Sequence, residues 1–492
     1  MKEGWLDSKL RDQLHRLQKK FFGFGREKLK KKTRQVGHKQ QKLNIHGKRS
    51  LADERTQEEQ KNGVKTQGKS GLVKEHDFTE EELGEETQIR GLIVGEAPAW
   101  SKMKGLYQES TEITVTERVY QKVIHRQAKY RLNDEYNNTG KEVIITAPGP
   151  AKVKPGCKYS IDFAVAAVTD KFQYHTPLER QRRKMEEAGL EVGVKTLYRL
   201  TEAVAEHCNT IIPAIKKEIM DEFCAIHLDE SPWRLFDNEK TGYMWVMSNR
   251  IGSYFQFEPT RSGAVPDEML KGYQGAVVVD AYSGYNPLRK NPDIRVGHCW
   301  SHVRREFFER IDDFEEDCTG AVNLIDELFD IEAKAKDFDE LKKLRLTESR
   351  PLTMVFRDWC FEARFKYLPE DGITKAINYT LNHWKELTLF TRDLSVPLSN
   401  NEAERSIRQP VMGRKNFNGS KTINGADTAA SLYTIIETCK KSSIHPAEYI
   451  KYVVEERWYK RFPLTPRQYG IQIKGLKPND EIKWPDKSDW EI

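Results

Sequence analysis

Asp229 and Asp280 each close an apolar run, Ala225-Ile-His-Leu-Asp229 and Gly275-Ala-Val-Val-Val-Asp280. The second run has no polar alternation and reads as a buried central strand. A carboxylate beside it is expensive to bury unless a cation or hydrogen bonds compensate it. At the carboxyl end of such a strand, the side chain reaches a crevice and not the core. If the two strands are neighbours, the carboxylates converge, repel, and are relieved by a divalent cation. Oxygen-only ligands favour Mg2+ or Mn2+ over zinc. An Asp that caps a strand end or the following turn, as in Asp229-Glu-Ser-Pro, accounts equally for either residue taken singly.

A third acid is needed to complete such a site. The stretch Leu398-Ser-Asn-Asn-Glu-Ala-Glu-Arg-Ser-Ile-Arg-Gln-Pro offers Glu402 and Glu404. Ser399-x-x-Glu402 fits a capping box, which gives Glu402 a structural task and leaves Glu404 free. An i,i+4 ion pair with Arg408 is the plain alternative for Glu404. Arg405, Arg408, Arg414 and Lys415 beside it suit a phosphate backbone, as do Arg304 and Arg305, although the last two equally cover helix surface. Cys299 and His302, three apart at a strand-helix junction, read as packing plus a hydrogen bond or as accessory groups near the site. Trp300 between them reads as core.

The elements that must position these residues follow from periodicity. Pro177 to Cys208 forms two helices broken at Gly189, the outline of a helix-turn-helix or of an ordinary helical hairpin. Strands are expected at Ala225–Asp229, Gly242–Ser248, Ser253–Glu258 and Gly275–Asp280, with a helix near Val265–Lys271. Helices are expected from His302 through His383, from Ser399, and over Thr428–Lys440. A mixed α/β layer results.

At 492 residues the chain is too long for one core and implies roughly three or four units. The net charge of +6 is small, but its distribution is not even. Residues 1–50 carry sixteen Lys or Arg against four Asp or Glu, while 51–86 carry eleven acids against five bases. That asymmetry points to nucleic-acid contact through a basic arm, with an acidic spacer behind it. Leu6, Leu10, Leu14 and Leu17 recur at helical spacing within the arm. No apolar run approaches the length of a membrane helix, and the first residues are charged throughout, so neither a membrane protein nor a secretory signal is expected. Seven scattered Cys suit a reducing, cytoplasmic compartment.

Taken together, His227-Leu-Asp-Glu-Ser-Pro-Trp, Val279-Asp-Ala-Tyr-Ser-Gly-Tyr, His298-Cys-Trp-Ser-His-Val-Arg-Arg-Glu-Phe-Phe and Ser399-Asn-Asn-Glu-Ala-Glu-Arg-Ser-Ile-Arg-Gln-Pro resemble the transposases of the insertion sequence 66 family, within the DDE recombinase superfamily. Phe22-Gly-Phe-Gly-Arg-Glu-Lys-Leu resembles that family's N-terminal signature, and Cys299-x-x-His302 resembles a pair found after the second Asp in several DDE families. The resemblance implies an α/β, ribonuclease-H-like catalytic core with a helical insertion, and Asp229, Asp280 and Glu404 as catalytic metal ligands. It divides the chain into a basic helical arm (1–50), a flexible acidic linker (51–88) and a small β module (89–155). A helix-turn-helix-like region (156–220), the core (221–425, insertion about 302–391) and C-terminal helices with a tail (426–492) follow.

One departure is evident. Many relatives carry Cys pairs in a zinc module ahead of the core, whereas Lys129 to Ala147 has none and Cys157 alone cannot hold tetrahedral zinc. A metal-free β module is expected, with no zinc. The implied activity is cleavage of element ends and strand transfer to target DNA with two Mg2+ or Mn2+ ions. The implied partners are DNA, further copies of the chain and accessory proteins of the same element, at the nucleoid. A DNA-binding relative without chemistry, and a nuclease that cuts without joining, are the alternatives.

Overall fold

The computed structural model describes residues 119–131, 144–237 and 241–476. The basic arm, the acidic linker and most of the β module lie outside the described residues. The chain divides into two units, Ala52–Lys122 and the remainder. The described residues of the first, 119–122, carry no helix or strand. All elements below belong to the second.

Of the expected β module, β1 (Lys129–Arg131) and β2 (Ile144–Thr146) form an exposed antiparallel pair. Four helices follow: α1 (Ile161–Phe172), α2 (Leu178–Glu187), α3 (Val194–Asn209) and α4 (Ile212–Asp221). Ser160 caps α1, its hydroxyl accepting from the Phe163 amide at 3.2 Å. The break between α2 and α3 falls at Gly189, whose φ of 79° is left-handed backbone that glycine adopts without strain.

A five-stranded mixed sheet lies at the centre, in the order β5-β4-β3-β6-β7. β3 (Ile226–Arg234), β4 (Thr241–Ser248) and β5 (Ser253–Glu258) form an antiparallel meander. β6 (Gly275–Val279) then runs parallel to β3, and β7 (Ile294–His298) parallel to β6, with α5 (Ala264–Met269) in the crossover. β5 reads with period two: Ser253, Phe255 and Phe257 are buried, and Tyr254, Gln256 and Glu258 are partly exposed. β6 is buried on both faces, as its unbroken apolar run requires.

Alternate residues of β6 feed two cores. Val277 and Val279 join a core built with α1, α3, α4, α12 (Asn401–Phe417), α13 (Ile423–Lys441) and α14 (Pro446–Trp458). Ala276 and Val278 join a second core, built with α6 (Trp300–Phe308), α7 (Glu315–Lys334), α9 (Arg350–Ala363), α10 (Gly372–Asn382) and α11 (Trp384–Leu387). The first core draws on residues before 220 and after 425 as well as on the sheet. α8 (Phe338–Leu344) and α15 (Pro466–Gln472) complete the α-helices among the described residues.

Three expectations need correction. β3 does not stop at Asp229 but continues five residues to Arg234, because β4 pairs with it along that whole length. β7 was not anticipated, since its short Ile294-Arg-Val-Gly-His298 run carries only a weak strand signal; pairing with β6 makes it a strand. The Ser399 capping box is not formed: Asn400 is the N-cap of α12, and the Glu402 carboxylate is turned to Lys441.

Candidate active site at the sheet edge

Asp229 and Asp280 occupy one level of the sheet. The parallel register pairs His227 with Val278, and two further steps along each strand reach the two aspartates. Beyond Val279, β6 ends and the chain turns away, while β3 continues on β4 alone. A notch therefore opens beside the two carboxylates. The alternation that sends Leu228 and Val279 to one core sends Asp229 and Asp280 to the opposite face, the one covered by α6 and the helical insertion.

Each aspartate is anchored through one oxygen. Asp229 Oδ1 accepts the Glu230 amide at 2.8 Å, and Asp280 Oδ1 accepts the Tyr282 amide at 3.0 Å. Among the described residues, neither Oδ2 has a hydrogen-bond donor. Burial, followed by the charges of Glu230 and Asp280 and finally that of Glu404, pushes the Asp229 carboxyl up to about 8. Three acids far apart in sequence thus act on one another in space.

α12 delivers Glu404 one turn inside its amino end. Its Oε1 is buried and lacks a hydrogen-bond partner, and no ion pair joins it to Arg408 among the described residues. It faces His302, Nδ1 to Oε1 3.8 Å. Cys299 stands at the N-cap of α6 and His302 one turn on, which brings both side chains to this end. The Sγ, the imidazole and the Glu404 carboxylate lie within 4.8 Å of one another. Burial opposes the imidazolium of His302, but its hydrogen bond to Cys299 and the charges of Cys299, Glu404 and Asp280 outweigh this and lift it to about 9. Trp300 is fully buried, its indole donating to the Leu387 carbonyl at 2.7 Å, as expected of a core residue.

The six candidate cations divide by environment. Arg304 grips Asp326 of α7 through two hydrogen bonds, at 2.7 and 3.1 Å, and so ties α6 to α7. Arg414 donates to the Pro232 carbonyl and to Ser231 Oγ, clamping α12 onto β3. Arg305 is half-buried. Arg405, Arg408 and Lys415 are exposed, and their spacing places them on one face of α12 beside Glu404.

Five residues that the sequence reading left unassigned support the acids. Asn400 Nδ2 donates to the Leu228 carbonyl at 2.7 Å, and its Oδ1 lies 3.1 Å from His227 Nδ1. Lys441 Nζ, 2.9 Å from Glu402 Oε2, also reaches the Asn249 carbonyl and Ser248 Oγ. Glu230, next to Asp229, is held by Tyr285 and by Arg261, whose guanidinium lies 3.6 Å above the Tyr282 ring. The only signal for any of them was position: Asn400 and Glu230 flank residues already singled out.

Helices on both faces of a mixed sheet, with acidic side chains gathered where its parallel pairing ends, define an α/β protein with a candidate cation site. Residues 157–428 match the Transposase IS66 family, and the chain belongs to that family. It is also similar to three uncharacterized proteins of Sinorhizobium fredii. With y4hP it is 28% identical over 342 residues, 63% of this chain and 61% of that protein. With y4jD it is 23% identical over 345 residues, 63% and 65% of the two chains. With y4qI it is 28% identical over 209 residues, 40% and 38%. The chain thus spans less than two thirds of the length of each of these relatives. Among the described residues, no helix is long and apolar enough to cross a membrane.

Proposed function

We propose that this protein is a DNA transposase of ribonuclease-H-like fold, which cuts element ends and joins them to target DNA by metal-dependent phosphoryl transfer. Asp229, Asp280 and Glu404 are the residues that would hold the two Mg2+ or Mn2+ ions. The observation that carries the reading is the parallel register of β3 and β6, which sets Asp229 and Asp280 side by side where β6 ends; burial and the neighbouring acids raise the Asp229 carboxyl there. Such a cluster is stable in its charged form only with cations beside it. The oxygen donor set suits Mg2+, and the orphaned Glu404 Oε1 supplies an unspent ligand atom. The strand order, three antiparallel strands joined to a parallel edge, supports the ribonuclease-H-like reading.

When bound, the ions would supply Lewis acidity, lowering the pKa of an attacking water or 3′-hydroxyl and neutralising charge on the phosphate. The chain's own residues position and hold. Asp229, Asp280 and Glu404 would together hold the ions, the two aspartates from adjacent strands and Glu404 from α12. His302 faces Glu404, Nδ1 to Oε1 3.8 Å, and would balance its charge when protonated. Arg405, Arg408 and Lys415 would seat the DNA backbone next to the acids. Joining two ends requires more than one copy of the chain in the assembled complex, in the compartment that holds the DNA.

The test is Asp280→Asn, assayed with paired end duplexes and a target. Loss of both cleavage and joining, with end binding retained, is expected. Retained activity rejects the assignment, and cleavage without joined product in the wild type identifies a nuclease instead.

A further inference from the structure

Cys299, His302 and Glu404 make a donor set of a different character from the aspartates. A sulfur, an imidazole nitrogen and a carboxylate oxygen suit thiophilic cations of the zinc class, and three protein ligands with a fourth position open are a common zinc arrangement. Bond lengths of about 2.0–2.1 Å to nitrogen and oxygen and about 2.3 Å to sulfur place the ligand atoms of a tetrahedral ion roughly 3.3 Å apart for nitrogen and oxygen, and roughly 3.6 Å apart where one is sulfur. His302 Nδ1 and Glu404 Oε1 stand 3.8 Å apart, wider than that by roughly half an ångström, and all three groups lie within 4.8 Å. Side-chain rotation is enough to close the remainder.

Two further observations point to a ligand. His302 Nδ1 and Glu404 Oε1 are both buried from solvent and neither has a hydrogen-bond partner, which is expensive for polar atoms unless something binds them. Cys299 Sγ accepts the backbone amide of Asn400 at 3.2 Å, the kind of outer hydrogen bond that orients a metal-bound thiolate. The same hydrogen bond fixes α6 against the start of α12, so the three donors are held by two elements locked together.

We propose that Cys299, His302 and Glu404 form a binding site for a thiophilic divalent cation such as Zn2+, and that its occupation draws Glu404 away from Asp229 and Asp280 and so inhibits Mg2+-dependent chemistry. The binding claim stands on the geometry alone. The inhibition claim rests on the function proposed above.

Cobalt(II) tests the first claim without any activity assay. Metal-free full-length protein titrated with Co2+ should develop a thiolate-to-cobalt charge-transfer band in the near ultraviolet, saturating at one equivalent and bleached by Zn2+. Asp280→Asn should keep the band, and Cys299→Ser and His302→Gln should lose it. His302 is half-buried, so its variant remains informative if the buried Cys299→Ser fails to fold. Absence of the band, or its survival in both variants, overturns the site. For the second claim, micromolar Zn2+ should reduce end cleavage in Mg2+ at least tenfold in the wild type and have little effect in a folded Cys299→Ser variant. A protein that shows the cobalt band yet cleaves equally with Zn2+ overturns the inhibition. A protein that shows the band yet never cleaves refutes the proposed function and leaves the site standing.

Discussion

The side-chain amide of Asn400 donates to the carbonyl of Leu228 across 2.7 Å, joining the residue that starts α12 to the residue before Asp229. Glu404 lies four residues on from this anchor. This fully buried amide is therefore one of the ties, with the Arg414 clamp, that hold the first and third acids at a fixed separation. Asn400→Ala should remove this tie and leave the Leu228 carbonyl and His227 short of partners, at about 1–3 kcal/mol of stability. Activity should fall roughly 10–100-fold, as for other groups that orient metal ligands. Cleavage rates measured at saturating Mg2+, alongside a chemical melt, check both. Activity falling no further than the folded fraction would leave Asn400 a purely structural residue.

The Asp229 carboxyl gives the metal-free protein a defined pH response. Its folded pKa, about 8, lies above the unfolded value of about 3.9. A group shifted upward contributes stability that is complete below the unfolded value and is lost as pH rises through the folded one. Between about pH 4 and pH 8 the metal-free protein should lose stability, and millimolar Mg2+ should restore it at the alkaline end. Asp229→Asn should flatten both responses. Thermal unfolding with and without Mg2+ across this range reads them directly.

Glu402 behaves in the opposite sense. Burial opposes its ionisation, yet the charges of Lys441 and Arg405 hold the carboxyl down at about 2. A depressed acid stabilises above its unfolded value, about 4.3, and loses that contribution as pH falls toward 2. Lys441→Met should strand the carboxylate and destabilise the protein by about 3–5 kcal/mol near neutral pH. Adding Glu402→Leu to that variant should recover much of the loss. Denaturant melts of the single and double variants measure the coupling.

The exposed face of α12 makes a prediction about DNA. Replacing Arg408 or Lys415 with Ala should weaken end binding about equally across sequences and reduce the salt slope by about one for each phosphate left without its cation; Arg405→Ala should in addition lower stability, since Arg405 pairs with Glu402. Arg304→Ala and Arg414→Ala should act differently, lowering stability because Asp326 and the Pro232 carbonyl are deprived of their donors. Binding titrations over a range of salt concentrations separate the two groups.

Much of the architecture was legible from one dimension. The unbroken run before Asp280 marked a buried strand, Gly189 marked a helix break, and Ser253–Glu258 was expected as a strand. Glu404 was separable from Glu402 by assigning the latter another role, although the role itself was different: the partner is Lys441, on the next helix, and not the start of its own helix. β7 and the continuation of β3 were hidden because both depend on a neighbouring strand. A five-residue run becomes a strand when a partner satisfies its backbone groups.

Residue type and local spacing determined which side chains can carry charge, where most of the helices and strands lie, and that two aspartates follow apolar runs. Those are short-range properties, set by backbone sterics and apolar periodicity within a few residues. Only the tertiary structure decided that Asp229 and Asp280 share one level of a parallel pair, and that Glu404 is brought across the intervening helices to face His302. It also decided that Arg304 and Arg414 are spent on the protein itself. Register, long-range pairing and the desolvation that shifts a carboxyl exist only once distant segments pack, because each depends on what stands opposite a residue and not on what precedes it.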